Sequence, residues 1–115
     1  MDINQLPQII NDFLNASNKP DPNAFVDCFS DDAIVVDEGQ ERIGKAAIKK
    51  WSDENHFGAN VTLEPRNARR DDDEIIVACK VDGDFDKTGL PDPLVLSYYF
   101  RMQDGKIARL YIELS

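Results

Sequence analysis

The stretch LVLSYYFRMQDGKIARLYIEL, residues 94–114, reads as two long strands, 94–102 and 106–114, folded back on each other. Gln103-Asp104-Gly105 supplies the tight turn between them. Working backwards, Ile75, Val77, Cys79, Val81 and Phe85 alternate with Lys80, Asp82 and Asp84, the period of two that a pleated strand imposes. Before that, Val61, Leu63 and Pro65 alternate with Thr62, Glu64 and Arg66, and the acidic cluster Asp71-Asp72-Asp73 marks the turn. A loop carrying Thr88-Gly89-Leu90-Pro91-Asp92-Pro93 precedes the quoted hairpin. The second half of the chain is therefore a meander of long antiparallel strands.

The first half has a different period. Leu6, Ile9, Ile10, Phe13 and Leu14 form one apolar stripe at helical spacing. Pro7 is tolerated only in a first turn, which predicts a start near Asn4 to Leu6, and Asn18-Lys19-Pro20 stops the helix. Asp21 then caps a second, short helix with Pro22 in its first position. Ala24, Phe25, Cys28 and Phe29 lie along its apolar side. Ala33 to Val36 reads as a strand closing on the turn Asp37-Glu38-Gly39, with Glu41-Arg42-Ile43 as a brief partner. Lys45 to Phe57 is helical again, and Gly58 ends it. Helices first and strands afterwards is the pattern of an α+β fold. With 115 residues the chain has room for one continuous core, so residues 1–115 are read as a single domain.

Composition narrows the function classes. Twenty-two Asp and Glu against 13 Lys and Arg leave a formal charge of -9, a balance that repels phosphate backbones and anionic membranes. Neither a nucleic acid nor a membrane is expected as partner. No segment approaches the roughly 20 apolar residues that cross a bilayer, and Met1-Asp2-Ile3-Asn4-Gln5 has neither the basic start nor the apolar core of a signal segment, so a cytoplasmic location is expected. The two cysteines, Cys28 and Cys79, sit among apolar neighbours and read as buried free thiols. His56 is the sole histidine and has no second ligand at zinc spacing, so no metal is expected.

Three stretches together carry a resemblance: Phe29-Ser30-Asp31-Asp32-Ala33-Ile34-Val35-Val36-Asp37, Gly44-Lys45-Ala46-Ala47-Ile48-Lys49-Lys50-Trp51, and the segment from Phe100 to Leu110. In order and spacing they resemble the nuclear transport factor two-like superfamily, which includes ketosteroid isomerases and SnoaL-type polyketide cyclases. The resemblance implies a cone: a curved antiparallel sheet whose wide mouth is closed by three helices, with a pocket between. In that arrangement Leu94, Leu96, Tyr98, Phe100 and Met102 point inward, as do Ala108, Leu110, Ile112 and Leu114. Val95, Ser97, Tyr99, Arg101, Arg109 and Tyr111 lie outside. That outer face, rich in Tyr and Arg, suits the homodimer that the family often forms.

Asp37 occupies the position where similar ketosteroid isomerases carry their proton-abstracting aspartate. At the edge of a dry pocket a carboxylate loses solvation and becomes a better proton acceptor. A second reading stands beside this one, since Asp37-Glu38-Gly39 is also a good turn sequence and the side chain can simply serve the turn. An isomerase also needs donors for a developing enolate oxygen. Where the isomerases place a tyrosine hydroxyl this chain has Phe13, and where they place a protonated aspartate it has Tyr98. One donor of the pair is thus lost and the other altered, which argues against authentic ketosteroid isomerase activity. The expected lining is Phe13, Phe25, Val36, Trp51, Phe100 and Leu110 with Tyr98, a set suited to a hydrophobic, ring-containing molecule. The resulting expectation is a small-molecule-binding domain, as a cofactor-free isomerase, cyclase or lyase with Asp37 as general base. The alternative is a non-catalytic module that binds a ligand or dimerises on the same fold.

Overall fold

The computed structural model describes residues 1–115, with a helical first half and a strand-rich second half. A 3-10 turn, Ile3–Gln5, leads into helices α1 (Gln8–Asn18) and α2 (Pro22–Asp27). Strands β1 (Phe29–Asp37) and β2 (Gln40–Ile43) follow, then helix α3 (Lys45–Ser52). Strands β3 (Thr62–Asp71), β4 (Glu74–Asp82), β5 (Val95–Gln103) and β6 (Lys106–Leu114) complete the chain. No helix is long and apolar enough to cross a membrane.

Local chemistry sets the helix ends. Helix α1 begins at Gln8, later than the apolar stripe alone predicts. Pro7 is extended, at φ -53° and ψ 147°, and the Asp2 carboxylate stabilises the separate 3-10 turn by accepting from Asn4 N at 2.8 Å. Helix α2 starts as expected, with Asp21 accepting from Ala24 N at 3.1 Å and Pro22 opening the helix. Helix α3 widens at its end into one π-helical turn, Asp53–Phe57. Gly58 closes that turn by donating its N–H to Asp53 O at 2.8 Å. A Cβ at residue 58 would lie 2.6 Å from the same oxygen, so only glycine fits without a shift.

The six strands form one sheet in the order β2-β1-β6-β5-β4-β3. Four junctions are antiparallel, but β1 runs parallel to β6, so the sheet is mixed and not wholly antiparallel. The hairpins β3–β4 and β5–β6 are local and must be antiparallel. The β1–β6 contact joins distant segments, and no turn dictates its direction. Strand β1 also starts at Phe29, four residues before the β-branched run, because Phe29 pairs with Ile107 ahead of a register shift. A second shift, between Arg101 and Met102, changes the expected faces at the start of β6. Ile107, fully buried, takes the core place that alternation assigns to Ala108, which is only half-buried.

The helices pack over one face of this sheet, α1 against β3 and α2 and α3 against β1. A continuous core of 23 buried residues lies between the layers. Cys28 and Cys79 belong to it as free thiols; burial pushes them up to about 11 and about 12. One polar clip ties α1 to the sheet. Asn18 Nδ2 donates to Leu63 O at 2.8 Å, and Leu63 N donates to Asn18 Oδ1, also at 2.8 Å. The side-chain amide thus stands in for a neighbouring strand at the start of β3. Replacing it, Asn18→Ala, removes both bonds and is expected to lower unfolding free energy by roughly 1–3 kcal/mol, measured by urea denaturation. A loss below about 0.3 kcal/mol would show that water replaces the clip without cost.

Candidate functional site

The period of two along β1 places Asp37 on the same face as Val35, and the register carries that face across the sheet. Val77, Tyr98, Ile112 and Asp37 form one cross-strand row, each opposite the next. Tyr98 and Asp37 are therefore two strand spacings apart, roughly 10 Å, with Ile112 between them. Beyond Asp37 the chain reverses through Glu38 and Gly39, both with positive φ (53° and 74°), as a two-residue hairpin demands. Arg42 Nη1 clamps the reversal by donating to the carbonyls of Asp37 and Gln40, each at 3.1 Å.

The Asp37 carboxylate itself does not serve the turn. Trp51, one face of α3 below, donates Nε1–H to Asp37 Oδ2 at 3.0 Å. Trp51 is buried and Asp37 half-buried, so the bond is sheltered and orients the carboxylate. One oxygen is held by the indole, and the residue lines open space beside it.

Both residues line a cavity of about 790 Å³. This lies within the usual range for small-molecule sites, roughly 300–1,000 Å³. Phe13 and Tyr98 form part of its floor, and Phe85, Leu90 and Leu94 of the β4–β5 loop border it from above. Burial pushes the Tyr98 phenol well above its ordinary range, with Cys79 and Asp37 adding to the effect. The hydroxyl is therefore a neutral donor at any working pH.

The structure thus brings together Asp37, Tyr98, Phe13 and Trp51. The other four expected lining residues lie elsewhere. Phe25, Phe100 and Leu110 are buried to within 1% in the core and do not reach the cavity. Val36 is on the opposite side of the sheet, in the outer row of Ile76, Tyr99 and Tyr111. Adjacent residues of a strand face opposite ways, so Asp37 inside requires Val36 outside.

His56 is the wall residue that sequence reasoning missed. The π-helical turn carries it inward, where it stacks on Phe25 at 5.3 Å and meets Phe57 edge-on at 4.9 Å. No side-chain pattern in the sequence marks this turn, so the sequence carried no signal for it. Nε2 has no hydrogen-bond partner. Burial lowers the imidazole pKa to about 4, opposed by the Ser17 backbone, so the ring is neutral near pH 7.

This depression has a consequence for folding. Below an unfolded value of 6.5 the unfolded chain takes up a proton that the folded chain refuses until about pH 4. Stability is full above pH 6.5 and falls as pH drops towards 4. Between pH 7.5 and 5 the loss is expected to be about 2 kcal/mol, read from urea midpoints. The variant His56→Phe should flatten this dependence; an equally steep slope in the variant would assign it to other groups.

Comparison with known proteins agrees with this geometry. Residues 10–110 match the SnoaL-like domain model. A crystal structure of a candidate polyketide cyclase from Sinorhizobium meliloti is 37% identical, covering 94% of this chain and 95% of that one at a TM-score of 0.84. A protein of ketosteroid isomerase-like fold from Catenulispora acidiphila, solved with trimethylamine, is 22% identical over 96% and 88% of the two chains, TM-score 0.79. A Mycobacterium tuberculosis protein solved with estradiol-17beta-hemisuccinate is 14% identical over 94% and 92%, TM-score 0.75. The latter two share the fold alone. No curated protein sequence matches the chain. An α+β chain whose helices cover a mixed, curved sheet, matched by the family model over nearly its whole length, belongs to the SnoaL-like domain family, with the nuclear transport factor two-like fold.

Proposed function

We propose that residues 1–115 act as one domain that binds a hydrophobic, ring-containing small molecule and transfers a proton on it without a cofactor. Asp37 is the general base and Tyr98 the donor to the oxygen on which charge develops. The carrying observation is the carboxylate anchored by Trp51 at 3.0 Å, on the wall of a cavity that Tyr98 also lines. A base needs a fixed direction and a place beside the ligand space, and Asp37 has both. Tyr98 offers a proton to an enolate oxygen while remaining neutral itself. Isomerisation, cyclisation and elimination all use this pairing. The S. meliloti relative, a candidate polyketide cyclase, supports the same class of chemistry.

Phe13 limits the reading. Its ring packs against Phe25, Phe29, Tyr98 and Phe100 at 5.0–6.3 Å and brings no hydroxyl to the cavity. Oxyanion stabilisation then rests on Tyr98, so ketosteroid isomerase activity is not proposed. The same feature favours, as a second reading, a module that binds its ligand without turnover.

Screening cyclic hydrophobic compounds for thermal stabilisation identifies ligands, since binding to the native state raises the midpoint. With a turned-over ligand in hand, Asp37→Asn is expected to retain binding and lose roughly 10²–10⁴-fold in kcat. Tyr98→Phe should lose about 10²-fold. Unchanged turnover in Asp37→Asn would remove that residue from the mechanism and leave the binding module.

We also propose homodimerisation through the outer face of β5 and β6. Tyr99 and Tyr111 meet edge-on at 5.7 Å there, Arg109 lies over the Tyr111 ring at 5.6 Å, and Val36 and Ile76 sit in the same row. Tyr and Arg on an apolar base are the side chains that interfaces favour. Sedimentation velocity should give a dimer that Tyr111→Glu converts to monomer; a monomeric parent protein would dismiss the interface.

A further inference from the structure

We infer that the cavity selects a hydrophobic molecule bearing a positively charged nitrogen, held by carboxylates at its mouth and by its aromatic walls. This rests on the reading of the cavity as a ligand site.

The charge of the lining is one-sided. The chain has 13 lysines and arginines, and none of them lines the cavity. Asp37, Glu38, Glu54 and Asp86 all do. A fifth acid, Glu113, touches the rim, but its side chain turns outward to accept from the Tyr99 hydroxyl at 2.7 Å. The one lysine carried by the loop over the mouth, Lys87, is engaged elsewhere. Its Nζ pairs with Asp82 at 2.9 Å and lies 5.4 Å from the Phe85 ring, on the wall of a neighbouring cavity. His56, the remaining candidate cation, is buried and neutral near pH 7.

The acids are not equivalent. Glu38, Glu54 and Asp86 are exposed and set the potential at the entrance. Asp37 is half-buried and has a single side-chain partner, the Trp51 indole, which is neutral. Arg42 reaches only the Asp37 backbone carbonyl, so the half-buried carboxylate has no direct cationic partner and leaves a charge for the ligand to match.

The walls suit the same ligand. Trp51, Phe13 and Tyr98 line the cavity, and aromatic rings attract a desolvated ammonium. Tyr98 is buried to 5% exposure and lines the cavity. As neutral phenol it accepts from an N–H as readily as it donates. An anionic ligand would meet four carboxylates and no compensating charge; a neutral one would gain only the rings.

Three ligands with one ring system separate these cases: naphthylmethylamine as the cation, naphthylmethanol as the neutral analogue and naphthoate as the anion. Titration calorimetry on the whole protein is expected to rank them in that order, with the amine about tenfold tighter than the alcohol. Raising the salt concentration should narrow that gap. Asp37→Asn should cut the amine-to-alcohol ratio by about threefold or more, and Glu54→Gln, on the exposed turn, provides a second variant whose fold is not at risk. Equal or tighter binding of the alcohol or naphthoate overturns the charge selectivity and leaves the cavity as a ligand site. A ratio unmoved by both substitutions also overturns it. Failure of all three compounds to bind overturns the site reading together with the inference.

Discussion

Phe13 of α1 touches Phe25 of α2, Phe29 of β1 and both Tyr98 and Phe100 of β5, with ring centroids 5.0–6.3 Å away. This one side chain thus ties two helices to two strands that are not adjacent in the sheet. Phe25 extends the cluster to Trp51 at 6.3 Å and to His56 at 5.3 Å, which brings α3 and its π-helical turn into the same contact. Aromatic pairs in such tilted and edge-on geometries contribute about 0.5–1.5 kcal/mol each beyond their buried area. The cluster fixes how deep the helices sit over the sheet. Packed fully, it stops at Phe13 and Trp51, and the cavity begins on their far side.

That boundary explains how one fold combines a dense core with an open chamber. Below it, Phe25, Phe29, Phe100, Ile107 and Leu110 fill the space completely. Above it, β5 and β6 continue past the helices towards Leu96, Ile112 and Leu114, and the loop after β4 closes over them. Asp37 falls at the junction because β1 ends there. The hydrogen bond from Trp51 is then a product of depth: only a helix seated at this height brings an indole N–H to the last residue of β1. The polar group most suited to chemistry and the cluster most responsible for packing share Trp51.

The lining charge follows from a different cause. Most lysines and arginines lie on the outer sheet face, on α3's exposed side and around the β3–β4 turn. Lys19, Lys87 and Lys106 sit at the end of α1, in the β4–β5 loop and at the start of β6 without lining the cavity. Acids occupy the turns at the mouth, Glu38 after β1, Glu54 after α3 and Asp86 after β4. Three separate turns therefore converge in space to give a field that no single segment carries.

Much of this was legible along the chain. The two periods separated helices from strands, Asp21-Pro22 and Gly58 marked helix ends, and alternation in β5 assigned Tyr98 and Tyr99 to opposite faces, as found. Asp37 and Tyr98 were singled out by position, and they do share a row. Depth was not legible. Phe25, Phe100 and Leu110 have the same inward parity as the cavity residues, yet lie beneath the helices, because a period reports the face of an element and not its distance from the neighbouring layer. Bulges moved Ala108 out of the core, and the π-helical turn moved His56 into it; both depend on an inserted backbone step that side-chain patterns do not mark. Amino-acid order by itself determined where helices and strands fall, the opposite faces of Tyr98 and Tyr99 in β5, and the acid at the end of β1. Only tertiary structure decided what stands opposite that acid, since a contact between Trp51 and Asp37, 14 residues apart, exists only once helix and sheet have met.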